Sequence, residues 1–352
     1  MKFFENISVN PEDVKDLKEL IPLSIDQDED FQRFTTLRKV KHGDPLGYLG
    51  EGNMVGKAGS GCDPTYEEYG VANAQKRWQL GDWQIPLKIC YDSLQGTIAE
   101  YTLKNGTEIG DLTTTEFFTY ILRPALERQI KLMIWRFGWF GDTAAKSIAD
   151  GGSLTDGVNA DFFKTADGLF KRIFAQCAEH SNQLTAIAAN AEASWTEQRS
   201  EMLKEGVATT LLDTMLMDAD SRITMDGDAV VMMTKAMADA LTWDVKKTYK
   251  TIMPWETVFN GLDITQYNGV TIARVSIWDR MIRAFEKSGD KPNKPFRMVY
   301  ANTDQLLIGT PQDSLISDLD IWFDKKERRN YIYATGKIGT NILEDDMFHA
   351  AY

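Results

Sequence analysis

Residues 42–61 read HGDPLGYLGEGNMVGKAGSG, and seven of these twenty positions are glycine: Gly43, Gly47, Gly50, Gly52, Gly56, Gly59 and Gly61. No catalytic motif requires that density. A phosphate-binding loop ending at Gly56-Lys57 needs Gly at 51 and Ser or Thr at 58, where this chain has Glu51 and Ala58. The dinucleotide-binding pattern fails as well, because Val55 stands where the glycine after Gly50 and Gly52 belongs. The stretch is therefore read as a long, deformable excursion from the fold. Glycine suits such a loop because it visits positive φ at little cost, so one sequence can follow different backbone paths.

Residues 33–41 and 83–91 (WQIPLKICY) flank the excursion and are rich in β-branched and aromatic types, which predicts that they are the stems of one long hairpin. Upstream lies an arm over residues 1–35, acidic near its end at Asp26, Asp28, Glu29 and Asp30. An arm of this kind drapes over another surface rather than folding alone.

Downstream, Thr113 and Glu116 have capping-box spacing and open a helix that runs through FFTYILRPALERQIKLMIWRFG. Pro124 kinks that helix or marks its true start, and Gly138 and Gly141 end it. A second, alanine-rich helical stretch is predicted over 168–205, and a third after Asp226 that places Val230, Met233, Met237 and Leu241 on one face. NGVTIARVSIW (268–278) follows an Asn-Gly turn signal, and PFRMVYAN (295–302) leads into a short helix closed by Gly309. LDIWF and RNYIYATGKIG form a terminal hairpin turning at Asp324 to Glu327.

Composition bounds the function. A chain of 352 residues buries a large core in roughly two or three domains, or in one elaborated by insertions. A net charge of −13 argues against a dedicated nucleic-acid binder, which needs clustered Lys and Arg to displace phosphate counterions. Cys62, Cys90 and Cys177 have no metal-site or disulfide spacing and read as free thiols. No signal peptide or membrane-spanning run is visible, so a cytoplasmic site of synthesis is expected.

Catalytic and ligand readings fare poorly. Asp218, Asp220, Asp226 and Asp228 alternate like calcium ligands, yet the loop carries Ile223 and Ala229 where Gly and Glu are required. His42, His180 and His349 have no neighbouring nucleophile. Glu67 and Glu68, or the run Glu344, Asp345 and Asp346, offer carboxylates for a soluble hydrolase, but adjacent carboxylates in exposed runs are ordinarily solvated surface. The methionines at 215, 217, 225, 232, 233 and 237 read as core, and Trp322, Tyr331 and Tyr333 as cross-strand packing. No cofactor, metal or catalytic residue is assigned. What remains is a large chain with an arm and a glycine-rich loop, the parts of a subunit that reaches around its neighbours.

The order of segments resembles the major capsid proteins of tailed bacteriophages, the HK-ninety-seven-like fold shared with encapsulin shells. The phrases ADGLFKRI (166–173), DAVVMMTKAMADAL (228–241), YNGVTIARV (267–275), FRMVYANTDQLLIGT (296–310) and YIYATGKIGTNI (331–342) occur in the family's order. The resemblance implies an α+β capsid fold with an N-terminal arm (1–35), an extended loop (36–92), a peripheral domain with a long spine helix (93–164), an axial domain (165–312) and a return to the peripheral domain with a C-terminal tail (313–352). In it, 228–241 corresponds to an axial helix placed before a strand. It further implies self-assembly into pentamers and hexamers around loosely held double-stranded DNA, in the cytoplasm of a bacterial host and then in the virion. Gly43, Gly47, Gly50, Gly52, Gly56, Lys57, Gly59 and Gly61 would form the loop that lies on a neighbouring subunit. A separate scaffold, a portal and decoration proteins are the implied partners, with no membrane. The family's loop cross-link is not transferred, since Lys41, Lys57 and Lys76 have no matching partner residue. An encapsulin shell, or another virion component such as a tail or minor head protein, are the alternatives within reach of the same resemblance.

Overall fold

The computed structural model describes residues 36–52, 71–90, 123–225, 229–259, 262–311, 317–324, 326–327 and 329–352. Four strands come first: β1 (Thr36–Lys39), β2 (Pro45–Gly52), β3 (Val71–Arg77) and β4 (Gly81–Cys90). β2 and β3 pair antiparallel, from Pro45 opposite Arg77 to Gly52 opposite Val71. The described part of the glycine-rich excursion thus pairs β2 with β3, and its stems are not the described parts of 33–41 and 83–91. Those segments belong to a different sheet: β1 lies parallel to residues 307–310, and β4 lies antiparallel to 329–338. The alternation in β4 explains the difference, since Trp83 faces the main core while Gln84 faces out, the pattern of a half-buried sheet strand.

α1 (Arg123–Phe140) has Pro124 in its first turn, where a missing N–H costs nothing, so the proline begins this helix rather than kinking it. The proposed start at Thr113 and Glu116 lies outside the described residues. Gly138 is inside the helix and only Gly141 follows its end. The stretch 168–205 is not one helix. α2 (Leu169–Glu179) stops at His180, a short strand β5 (Leu184–Thr185) follows, and α3 (Trp195–Met202) restarts behind a capping box of Ser194 and Glu197. α4 (Val207–Asp218) and the short α5 (Ser221–Met225) complete this part.

The third predicted helix is corrected too. Residues Ala229–Thr234 are strand β6, and α6 (Lys235–Thr248) begins only after Thr234, whose hydroxyl accepts from Met237 N. The strand therefore precedes the helix, the reverse of the implied order at 228–241. The run AVVMM, ahead of Thr234, is apolar without a break because β6 is covered on both faces: Val231 and Met233 enter one core, and Met232 enters the other. A fully buried strand loses the polar alternation that would distinguish it from a helix.

β7 (Glu256–Phe259), β8 (Leu262–Tyr267) and β9 (Val270–Val275) follow, with Asn268 and Gly269 at φ of 48° and 81° in the turn between β8 and β9. Positive φ at both central positions is the hairpin geometry that Asn-Gly signals. α7 (Ser276–Phe285), the small hairpin β10 (Lys287–Ser288) and β11 (Lys291–Pro292), and β12 (Met298–Asn302) come next. Gly309 does not close a helix but lies within β13 (Leu306–Thr310). β14 (Asp318–Asp324) and β15 (Arg329–Ile342) form the expected hairpin, Asp324 opposite Arg329, and β16 (Phe348–Ala351) comes last.

Two larger sheets result. One has seven strands in the order β5-β16-β12-β6-β9-β8-β7; the other has five, β1-β13-β15-β14 with β4 also on β15. The first core lies among α1, α2, α7, one face of the large sheet and the inner residues of the five-stranded sheet, and the second lies under α4 and α6. Residues 313–352 divide between the sheets, β15 in one and β16 in the other. Met215, Met232, Met233 and Met237 are core as expected, whereas Met217 and Met225 are exposed.

Candidate assembly interface

The hairpin's root is fixed before its tip begins. Gly43, at φ 85°, turns the chain, and its N–H donates to Trp78 O at 2.8 Å while Trp78 N donates to Asp44 O at 3.0 Å. His42 Nδ1 accepts from Leu80 N at 3.1 Å, a backbone-binding role with no catalytic partner. Beneath this turn Leu46, Trp78, Leu80 and Leu307 form a small core of their own, with Val40 and Leu343 against it. Gly309 makes room for it: a Cβ there would lie 2.5 Å from Val40 Cγ2 and 2.6 Å from Trp78 Cζ3. This glycine is required by close approach, since contacts below 3.0 Å force something to move.

Lys76, on β3, latches the hairpin to the body. Its Nζ donates to Ile342 O at 2.7 Å and to Asp345 Oδ1 at 2.5 Å. The carboxylates read as hydrolase candidates are thus engaged structurally: Asp345 holds Lys76, and Glu344 lies 3.9 Å from Arg222. Glu67 and Glu68 lie outside the described residues. Asp220 is bound by Arg222, and no cluster of three metal-ligating side chains occurs among the described residues.

Of the predicted loop residues, Gly43 forms the turn at the root, while Gly47, Gly50 and Gly52 are in β2, where the pairing slips between Leu49 and Gly52. Gly56, Lys57, Gly59 and Gly61 lie outside the described residues. Sequence reasoning missed Trp78 and weighed Lys76 only for the family's loop cross-link, without foreseeing its bond to Asp345. The signal available was the alternation of Trp78 and Leu80 just before β4.

Two further surfaces expose large apolar side chains. On the ribbon of β14, β15 and β4, Trp322 and Tyr331 stack as an opposed pair with ring centroids 5.4 Å apart, and Trp322 and Leu87 are exposed. Trp322 shares its row with Tyr331 and Lys88, whereas Leu87 is in the neighbouring row with Ile332 and so points to the other face of the sheet. Along and beyond α6, Trp243, Tyr249 and Ile252 are exposed beside Lys246, Lys247 and Lys250. No described helix is long and apolar enough to cross a membrane.

The fold matches that of a solved procapsid chain. A chain of the satellite phage P4 procapsid, a structure that includes the size determination (Sid) protein, shares it with a TM-score of 0.53 at 12% identity, over 95% of this chain and 98% of that one. A chain of Gordonia phage Cozz scores 0.49 at 12% identity, covering 94% and 85%. The holo-SrpI encapsulin complex of Synechococcus elongatus scores 0.48 at 10% identity, covering 92% and 87%. The sequence itself matches no described protein family and no curated protein. The fold is the HK-ninety-seven-like capsid fold, of mixed helix and strand.

Proposed function

We propose that this chain is the major shell subunit of a tailed-phage head, assembling with copies of itself into pentamers and hexamers that enclose double-stranded DNA. The observation that supports it most is the shared fold with the phage P4 procapsid chain over nearly the full length of both. The separate root core and Lys76 latch add to it, because they fix the direction in which β2 and β3 leave the body. On this reading residues 1–35 are an arm, 36–92 the extended loop, 93–164 the peripheral domain with α1 as spine helix, 165–312 the axial domain, and 313–352 the return to the peripheral domain. Gly43, Gly47, Gly50, Gly52, Gly56, Lys57, Gly59 and Gly61 then serve contact with a neighbour, the glycines letting the loop settle differently in non-equivalent positions. A scaffold, a portal and decoration proteins are the proposed partners, and assembly takes place in the bacterial cytoplasm.

A net charge of −13 suits a wall that holds DNA without gripping it. Negative-stain electron microscopy of the purified protein, alone and with its genomic neighbours co-expressed, tests the proposal. Closed shells or capsomer rings are the expected result, and their contents separate a DNA-filled head from a protein-filled encapsulin. A persistent monomer or dimer under every condition refutes the assembly reading.

A further inference from the structure

A cavity of about 190 Å³ opens where the end of α1 meets α2. Its lining includes the aromatic Trp139, Phe170 and Phe174 and the charged Lys171, Glu286 and Lys294. The shell reading makes no use of it.

The surroundings of the two lysines differ in charge balance. At one, Lys171 Nζ sits 2.6 Å from Asp142 and 2.7 Å from Asp167, so that cation is matched twice. At the other, the buried Arg297 donates Nη2 to Glu286 at 2.5 Å. Lys294 has no carboxylate in ion-pair range among the described residues; its ammonium rests over the rings of Tyr352 at 3.9 Å and Phe174 at 4.5 Å. Two cations therefore face one carboxylate around Lys294.

Three further observations mark the same place. Lys294 has a φ of 44°, a conformation that residues with a Cβ hold only when the surroundings impose it. Burial, and secondarily Arg297, push its amine down to about 8, with Glu286 opposing. Trp139 Nε1 and Arg297 Nη1 are buried donors without an acceptor among the described residues, although the Arg297 guanidinium also lies over the Phe170 ring at 4.9 Å. Trp139 lines the cavity, and Arg297 reaches it through its bond to Glu286 and its place over the Phe174 ring that Lys294 also covers.

We propose that this cavity binds a carboxylate on a short apolar stem, the carboxylate pairing with Lys294 and the stem lying on the Phe170 and Phe174 rings. The space admits a stem of about two to four carbons. Such a group is either a free small acid or an acidic side chain from a second copy of this chain. The inference does not rest on the shell reading.

The test is the labelling rate of Lys294 by an amine-reactive reagent at pH 7.5, read by peptide mass spectrometry on the full chain. Butanoate at 20 mM should slow labelling of Lys294 at least fivefold, leave the exposed Lys164 unchanged, and lose its effect when replaced by butanamide. If Lys294 is already protected in the oligomer, becomes reactive in dissociated subunits, and couples through a carbodiimide to an acidic residue of another copy, the carboxylate comes from the protein. Protection that appears only on adding butanoate identifies a free acid. Labelling that no acid alters and that is equal in oligomer and subunit overturns the proposal, as does a Lys294 closed to reagent in dissociated subunits.

Discussion

Trp78 and Gly309 should behave as one unit, and a double-mutant cycle measures whether they do. Trp78 is fully buried in a core of only a few residues, so Trp78→Ala removes most of that core's volume. Deleting a buried aromatic of this size costs about 3–5 kcal/mol through lost transfer energy and the cavity left behind. Gly309→Ala errs in the opposite direction. Its methyl would meet Val40 Cγ2 at 2.5 Å and Trp78 Cζ3 and Cε3 at 2.6 and 2.7 Å, an overpacking that costs about 1–3 kcal/mol. Gly309 lies in strand β13 without a left-handed backbone, so overlap is the only source of that cost. With the indole gone, two of the three contacts vanish and Val40 can move into the space. Gly309→Ala should then cost almost nothing, giving a coupling energy of at least about 1 kcal/mol. Urea unfolding of dissociated subunits reads all four corners of the cycle. Single-mutant costs that add to within about 0.5 kcal/mol would mean that the indole does not sit on Gly309, and the account of the hairpin root would fail.

Three other outcomes follow from the described contacts. Lys76→Met removes the bonds to Asp345 and Ile342 O; because the pair is partly exposed, subunit stability should fall by only about 1 kcal/mol, while protease cleavage within residues 45–77 accelerates several-fold. Asp244→Ala uncaps α4, since that carboxylate accepts from Gly206 N at 2.7 Å, Thr209 N at 3.0 Å and Thr209 Oγ1 at 2.8 Å; thermal unfolding should show a loss of about 2–4 kcal/mol. Burial raises the Asp244 carboxyl but these bonds outweigh it and hold it low, so its contribution is present above about pH 4 and lost as pH falls further. Asp279 is the opposite case: burial pushes it up to about 6, against the bonds from Ala236 and Lys235 N–H and the charges of Arg283 and Lys235. The folded state then binds the proton more tightly, so stability declines by up to about 3 kcal/mol as pH rises from about 4 through 6; Asp279→Asn should flatten that slope in a series of denaturant titrations.

Period and turn chemistry made part of this fold legible. The β14–β15 hairpin, its Trp322–Tyr331 pair and the Asn268-Gly269 turn were readable because exposed strands alternate and Asn-Gly selects one turn. β6 was not, because a strand buried on both faces shows an unbroken apolar run, and the helix after it extends that run. The hairpin was legible as an excursion from its glycines, but not its stems. Those depend on Trp78 finding a gap at Gly309, more than 200 residues away, and on Lys76 finding Asp345. Local propensity carries no information about such pairings. Lys294 was invisible for the same reason, since its surroundings come from α1, α2 and Tyr352.

β15 and β16 close both sheets, and they do so with the last residues the ribosome delivers among those that form them. At ordinary translation speeds roughly 10–50 s separate the synthesis of β4 from that of its partner β15. During that interval β4 lacks its partner β15, β12 has an open edge where β16 will lie, and Lys76 has no Asp345 to hold. A nascent chain thus cannot present a set hairpin to a finished neighbour. On the proposed shell reading, contact between copies through this hairpin waits until Asp345 has been made and can hold Lys76.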